Sequence, residues 1–253
     1  MNDEWYRVEN LRKSYQEQTE KYAKEGVADS RGDFGSYLSM MNHGTDDMIG
    51  SHNEIGDGAL AKAKVIVKYL KEQDVSVKSI ADMGGGCGFI ANELHQICPE
   101  TMVYSYELAE AAVEYARQHF SGDGIQFIAK AIDIGDKFSE GPFDAIVCHG
   151  FYPFCRNCDV EYQVAYINTF LDNLIKGGIL MINCLDSPDS LIAIFDQIRE
   201  NIVSRGHTIN KKIIPAAKIQ SIVHNIRLSA IFTGILSAIL RKKAMYSIII
   251  QKN

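Results

Sequence analysis

In Ile80-Ala-Asp-Met-Gly-Gly-Gly-Cys-Gly88 a short apolar run leads directly into glycines, and a second apolar run ends on Glu107. Together they have the chemistry of a cradle for a nucleotide cofactor. Gly84, Gly86 and Gly88 allow a turn in which backbone meets a ligand with no Cβ in the way. A helix beginning near Phe89 would aim its unpaired amides above the strand, and a carboxylate at the end of the next strand suits a ribose diol. These features point to an adenosine-bearing molecule. The dinucleotide fingerprint G-x-G-x-x-G puts its third glycine on Phe89 when read from Gly84; read from Gly86, it falls on Ala91, a tolerated substitute. Asp82 weighs against a pyrophosphate, which it would repel, and for a cationic amino-acid moiety held directly or through water.

Such a turn needs a parallel sheet to hold it. Strands are predicted at 78–83, 101–106, 125–129, 143–148, 178–183, 208–214 and 244–251, with helices at 57–73, 89–97, 108–120, 159–175 and 188–204. This alternation implies an α/β fold with helices on both faces and the cofactor at the carboxyl ends of the strands. Residues 5–24 carry Trp5, Val8, Leu11, Tyr15 and Tyr22 at near-helical spacing, and residues 26–58 have loop composition. The chain thus divides into an N-terminal helical and loop lid on the acceptor side, 1–56, and a cofactor-binding domain, 57–253, with a helical insertion near 216–243.

The chain resembles the class I S-adenosylmethionine-dependent methyltransferases. Ile80–Gly88 matches that family's hydrophobic-x-Asp-x-Gly-x-Gly-x-Gly first motif without a gap, and Val103-Tyr-Ser-Tyr-Glu107-Leu matches its second strand. The resemblance implies a doubly wound, mostly parallel seven-stranded Rossmann-like sheet of order 3-2-1-4-5-7-6, its last strand antiparallel. It implies S-adenosylmethionine as cofactor and S-adenosylhomocysteine as product. Asp82, Gly84, Gly86 and Gly88 would border the methionine part, Glu107 would accept both ribose hydroxyls, Leu108 would pack on the adenine and Asp133 would meet the adenine amino group.

Methyl transfer is an in-line displacement, so the protein must align the acceptor, exclude water and, for a hydroxyl acceptor, remove a proton. In this architecture Cys148-His-Gly-Phe-Tyr-Pro-Phe154 lies beside the first-motif turn. His149, with an unperturbed pKa of about 6.5, is the first candidate for general base; the bland alternative is a positional role. Tyr152 could orient a nucleophile, while Phe151 and Phe154 offer aromatic faces or core packing. His43 is a further catalytic candidate and, with Tyr15, Tyr37 and His52, a candidate for the lid. Cys155-Arg-Asn-Cys158 has the spacing of a metal or redox pair but lacks a second pair. Cys148 and Cys184 are predicted at adjacent strand ends, so a three-thiol cluster that includes them is one alternative to six free thiols and no metal; the start of a helix at Asn157–Asp159 explains the segment more simply.

Charge is unevenly spread. Residues 1–200 hold 17 Lys and Arg against 32 Asp and Glu, whereas residues 201–253 hold nine Lys and Arg and no acid. Attraction between the tail and the acidic body accounts for this more simply than an anionic partner. The uncharged run Leu228–Leu240 is too short to span a bilayer. It reads as a buried helix lining a substrate pocket or a homodimer contact, with an interfacial helix contacting a membrane surface through 217–243 as the alternative. The polar N-terminus has no secretory signal pattern, which makes a cytoplasmic enzyme the default. The low pI of about 5.7 and the absence of an Asn/Asp-Pro-Pro-aromatic motif argue against nucleic-acid substrates. The expected function is methyl transfer from S-adenosylmethionine to an oxygen or nitrogen of a small-molecule acceptor. The alternatives are an NAD-dependent oxidoreductase and a non-catalytic cofactor-binding scaffold.

Overall fold

The computed structural model describes residues 46–73, 75–108, 110–120, 122–156, 158–188, 190–216, 225–240 and 244–253. The helix expected over 5–24, the lid residues before 46 and His43 lie outside the described residues. Helix α1 (Asp46–Lys71) leads into β1 (Ser79–Met83), α2 (Phe89–Ile97), β2 (Met102–Glu107), α3 (Glu110–His119) and β3 (Ile125–Ala129). Then follow β4 (Phe143–His149), α4 (Tyr152–Arg156), α5 (Val160–Asp172) and β5 (Leu174–Leu185). A 3-10 turn over Leu191–Ile194 precedes α6 (Phe195–Ser204), β6 (Thr208–Ile214), α7 (Ile226–Leu240) and β7 (Met245–Gln251). The seven strands form one sheet of order β3-β2-β1-β4-β5-β7-β6. All neighbours pair in parallel except β7, which runs antiparallel to β5 and β6.

The sheet is buried on both faces, and the strands read accordingly as apolar runs. Side-chain alternation sorts them into two cores. On one face Ala81, Met83, Tyr106, Ile146, Cys148, Leu180, Ile182 and Ile248 pack with Phe154, Tyr166 and Phe170 of α4 and α5. On the other, Ile80, Val103, Ala145, Val147, Ile179, Met181 and Ile249 pack with Ile66 and Leu70 of α1 and Leu94 of α2. Asp144 fixes the start of β1: its Oδ2 accepts from the amides of Lys78 and Ser79 at 3.0 and 2.8 Å and from Ser79 Oγ at 2.8 Å. Asp159 caps α5 by accepting from Tyr162 N at 2.8 Å, which accounts for the segment after Cys155 as a helix start.

Two expectations are corrected. Loop composition before 58 gives way to helix from Asp46, because apolar residues farther along α1, including Ala63, Ile66 and Leu70, bury against the sheet and extend one continuous helix. The run 228–240 is helical but not buried: Leu228, Ile231, Phe232, Ile235 and Leu236 are exposed. Instead Ser229 and Thr233 are the buried residues, because small side chains let α7 lie close to β6; a Cβ on Gly234 would come within 3.0 Å of Ile213 Cδ1.

Glu72 joins α1 to this far edge of the sheet. Its carboxylate takes ion pairs from Lys212 of β6, from Arg227 of α7 at 3.3 Å and from Lys68 at 3.5 Å. These cations, led by the hydrogen bond from Lys212, hold its pKa below the ordinary carboxylate value. The resulting stability is present above the unfolded carboxylate pKa of about 4.3 and is lost as pH falls through the lower folded value. Glu72→Gln should therefore cost on the order of 1 kcal/mol at pH 7, with the difference vanishing in acid, as read by urea unfolding at both pH values.

Candidate active site

The turn after β1 is shaped by glycine. Gly84, Gly86 and Gly88 have φ of 76°, 56° and 79°, a region that side chains with Cβ disfavour. Space forbids substitution as well: a Cβ on Gly88 would lie 2.5 Å from Phe127 Cε1, and one on Gly85 would lie 2.0 Å from Ser105 Oγ. The amides of Gly84 and Gly85 donate to the Tyr106 carbonyl at 2.8 and 3.0 Å, pinning the turn to β2. Phe151 packs from below, 2.9 Å from where a Gly84 Cβ would stand, and continues into Phe154, Tyr166 and Phe170.

Strand parity then brings the polar residues together. Ser105 and Glu107 of β2, Asp82 of β1, His149 of β4 and Asn183 of β5 stand on the α1/α2 face near the carboxyl edge, in strand order. Glu107 is buried and its Oε2 accepts from the Gly86 amide at 2.9 Å. An acid therefore already occupies a turn amide that a pyrophosphate would need, and two buried carboxyls suit a diol and a cation better than an anion. Asp82 has Ser105 Oγ at 3.5 Å as its hydrogen-bond partner. Burial first, and the Glu107 charge second, push its pKa up to about 7.

His149 is partly accessible at the strand end, yet close packing desolvates its ring. That desolvation, reinforced by the Lys62 charge from α1, lowers its pKa to about 3, so the imidazole is neutral at physiological pH. The neutral base is always present, at the expense of proton affinity. Its Nδ1 lies 3.3 Å from Asn183 Nδ2, while Asn183 Oδ1 is buried without a partner. With the amide in this orientation Nδ1 accepts and Nε2 carries the hydrogen. Turning the amide over gives Oδ1 the Nδ1–H and leaves the Nε2 lone pair for a proton. Asn183 thus governs the tautomer. Sequence reading passed over it, although a lone polar residue in the apolar run of β5 is a visible signal.

The other predicted residues are more scattered. Leu108 is half-buried just after Glu107. Asp133 lies in the turn after β3, where its Oδ1 accepts from Ile134 N at 2.7 Å. The side chains of Tyr152 and His52 lie outside the described residues. None of the six cysteines forms a disulfide. Among the described residues no group of three or more His, Cys, Asp or Glu is arranged to hold a metal ion.

The raised pKa of Asp82 has a definite sign. Between the unfolded value near 3.9 and the folded value, the native state binds the extra proton, so stability falls as pH rises to about 7. Asp82→Asn should raise the melting temperature of the ligand-free protein at pH 8, with the gain shrinking towards pH 5, by thermal unfolding.

Comparison with known proteins agrees with this fold. The model of the family described as the methyltransferase small domain matches residues 49–210. The plantazolicin methyltransferase BpumL, solved in complex with SAH, shares 16% identity and a TM-score of 0.57, over 95% of this chain and 100% of that one. Magnesium protoporphyrin IX methyltransferase (ChlM) from Synechocystis PCC 6803, solved with bound SAM, shares 15% identity and a TM-score of 0.53, over 78% and 80%. A search of curated proteins gives no match. With the family matched over most of its length and the strand order, glycine turn and paired acids in place, the chain belongs to the methyltransferase small domain family and is a class I S-adenosylmethionine-dependent methyltransferase.

Proposed function

We propose that this enzyme methylates an oxygen or nitrogen of a small-molecule acceptor in the cytoplasm. The observation that supports the reading is the one-sided row from Glu107 to His149 and Asn183 along one strand edge, whose Glu107 end would take the cofactor and whose His149 end would handle the proton. The whole-chain likeness to a plantazolicin methyltransferase and the partial likeness to a porphyrin methyltransferase support an acceptor of modest size. Residues 1–56 would roof the acceptor, with His43 and Tyr152 contributing from the roof and from the start of α4.

S-adenosylmethionine, when bound, supplies a methyl group activated on a sulfonium. Glu107 would hold the ribose hydroxyls through charge-assisted hydrogen bonds. Asp82 would face the cationic amino-acid end, and Leu108 and Asp133 the adenine. The turn amides and Gly84, Gly86 and Gly88 would let backbone close on the ligand. His149, with its Nδ1–H donated to Asn183 Oδ1, would offer Nε2 to the acceptor proton.

Two measurements test this. Glu107→Gln should weaken S-adenosylhomocysteine binding by about ten- to a hundred-fold, the scale of a lost charge-assisted hydrogen bond, as read by calorimetry. Unchanged affinity would remove Glu107 from the site. Because His149 is neutral down to a pKa of about 3, kcat/KM should show no inflection from it between pH 5 and 8, and His149→Ala should lower kcat by about a hundred-fold or more at every pH in that window. An inflection near 6.5 that disappears in the variant would show instead an ordinary solvated histidine.

A further inference from the structure

Helix α7 is built inside out. Among its described side chains the buried ones are Ser229 and Thr233, whereas Leu228, Ile231, Phe232, Ile235 and Leu236 are 42–57% exposed. Those five recur at the three- and four-residue spacing of a single helix face. The inward side is hydrogen-bonded and settled: Thr233 Oγ1 donates to the Ser229 carbonyl at 2.8 Å and accepts from Ala216 N at 3.0 Å. A contiguous outward stripe of this size on a helix whose inner face is already satisfied marks an interaction surface.

Charge identifies what fits it. Beside α7, Ile226 meets a groove of about 420 Å³ lined by Lys64, Lys68 and Lys71 of α1 and by Glu72, whose carboxylate pairs with Lys68 and Arg227, while Lys64 and Lys71 are exposed. Arg227 is exposed beside it, and the sequence after the helix continues Arg241-Lys-Lys243. No acid occurs anywhere in residues 201–253. A second copy packed helix to helix about a twofold axis would bring these basic groups together, with no acid on either α7 and the neighbouring Glu72 already paired with Arg227, Lys68 and Lys212. An anionic bilayer surface pairs with both features: acyl chains take the apolar stripe, and phosphate headgroups take the lysines and arginines. No helix among the described residues is long and apolar enough to cross a membrane, so the fit is to lying on the surface.

We propose that α7 and the adjoining lysine groove of α1 form a docking face for anionic lipid, which holds the enzyme at a membrane surface. The full chain should sediment with phosphatidylcholine vesicles containing about one third phosphatidylglycerol and not with pure phosphatidylcholine, and high salt should weaken the association. Replacing Ile231, Phe232 and Ile235 together by serine should reduce vesicle binding by about ten-fold or more while leaving S-adenosylhomocysteine affinity intact. Lys64→Glu with Lys71→Glu, which leaves the apolar stripe untouched, should reduce it independently. Absence of binding, or equal binding to both vesicle types, would overturn the proposal. So would a wild-type dimer, seen by analytical ultracentrifugation, that the triple serine variant converts to monomer, since a second copy would then be the occupant.

Discussion

The hydrogen bond from the Gly86 amide to the Glu107 carboxylate is the contact on which the geometry of the site depends. It joins the turn after β1 to the end of β2, and it forms only because three glycines take left-handed backbone there and Gly84 and Gly85 are tied to the Tyr106 carbonyl. Without the glycines the turn could not lie this close to Ser105 and Phe127. The same closeness brings Glu107 near Asp82 in a dry setting, and the cost of two buried acids is carried by Asp82, whose carboxyl holds a proton up to about pH 7. The site thus stores an electrostatic debt that a cation and a diol would relieve.

A sheet covered by helices on both faces has few places for polar side chains. Here they collect where the strands run out, and strand parity puts them on one face: Ser105 and Glu107, Asp82, His149 and Asn183. The opposite face at the same level is occupied by aromatics, with Phe151 and Phe154 joining Tyr166 and Phe170. This division explains why the segment after β4 contributes both a histidine to the polar row and a phenylalanine beneath the glycine turn. At the far edge of the sheet α7 follows a different rule, spending its small residues on β6 and leaving its large apolar ones outside.

Much of this was legible in the chain. The glycine turn and the strand-terminal Glu107 were legible because glycine spacing and an acid at a strand end are local, and apolar runs determined the strands to within a few residues, apart from the earlier start of β5. The strand order followed from resemblance, since no local signal reports which strands pair. Helix α1 was underestimated because its early turns, such as Asn53-Glu-Ile-Gly-Asp57, have loop composition, and only the apolar residues farther along reveal what draws the helix onto the sheet.

What the sequence determined by itself was the glycine turn and the acid that bonds to it, because backbone freedom and charge are properties of single residues. What the tertiary structure alone decided was their electrical state and company. The pKa of His149 depends on how tightly neighbouring elements desolvate it and on Lys62 from a helix 87 positions earlier. Its tautomer depends on Asn183, a partner assigned by β4–β5 register. The outward face of α7 was likewise undecidable from an apolar run, because hydrophobicity says that a surface seeks cover and only packing says whether this chain supplies it.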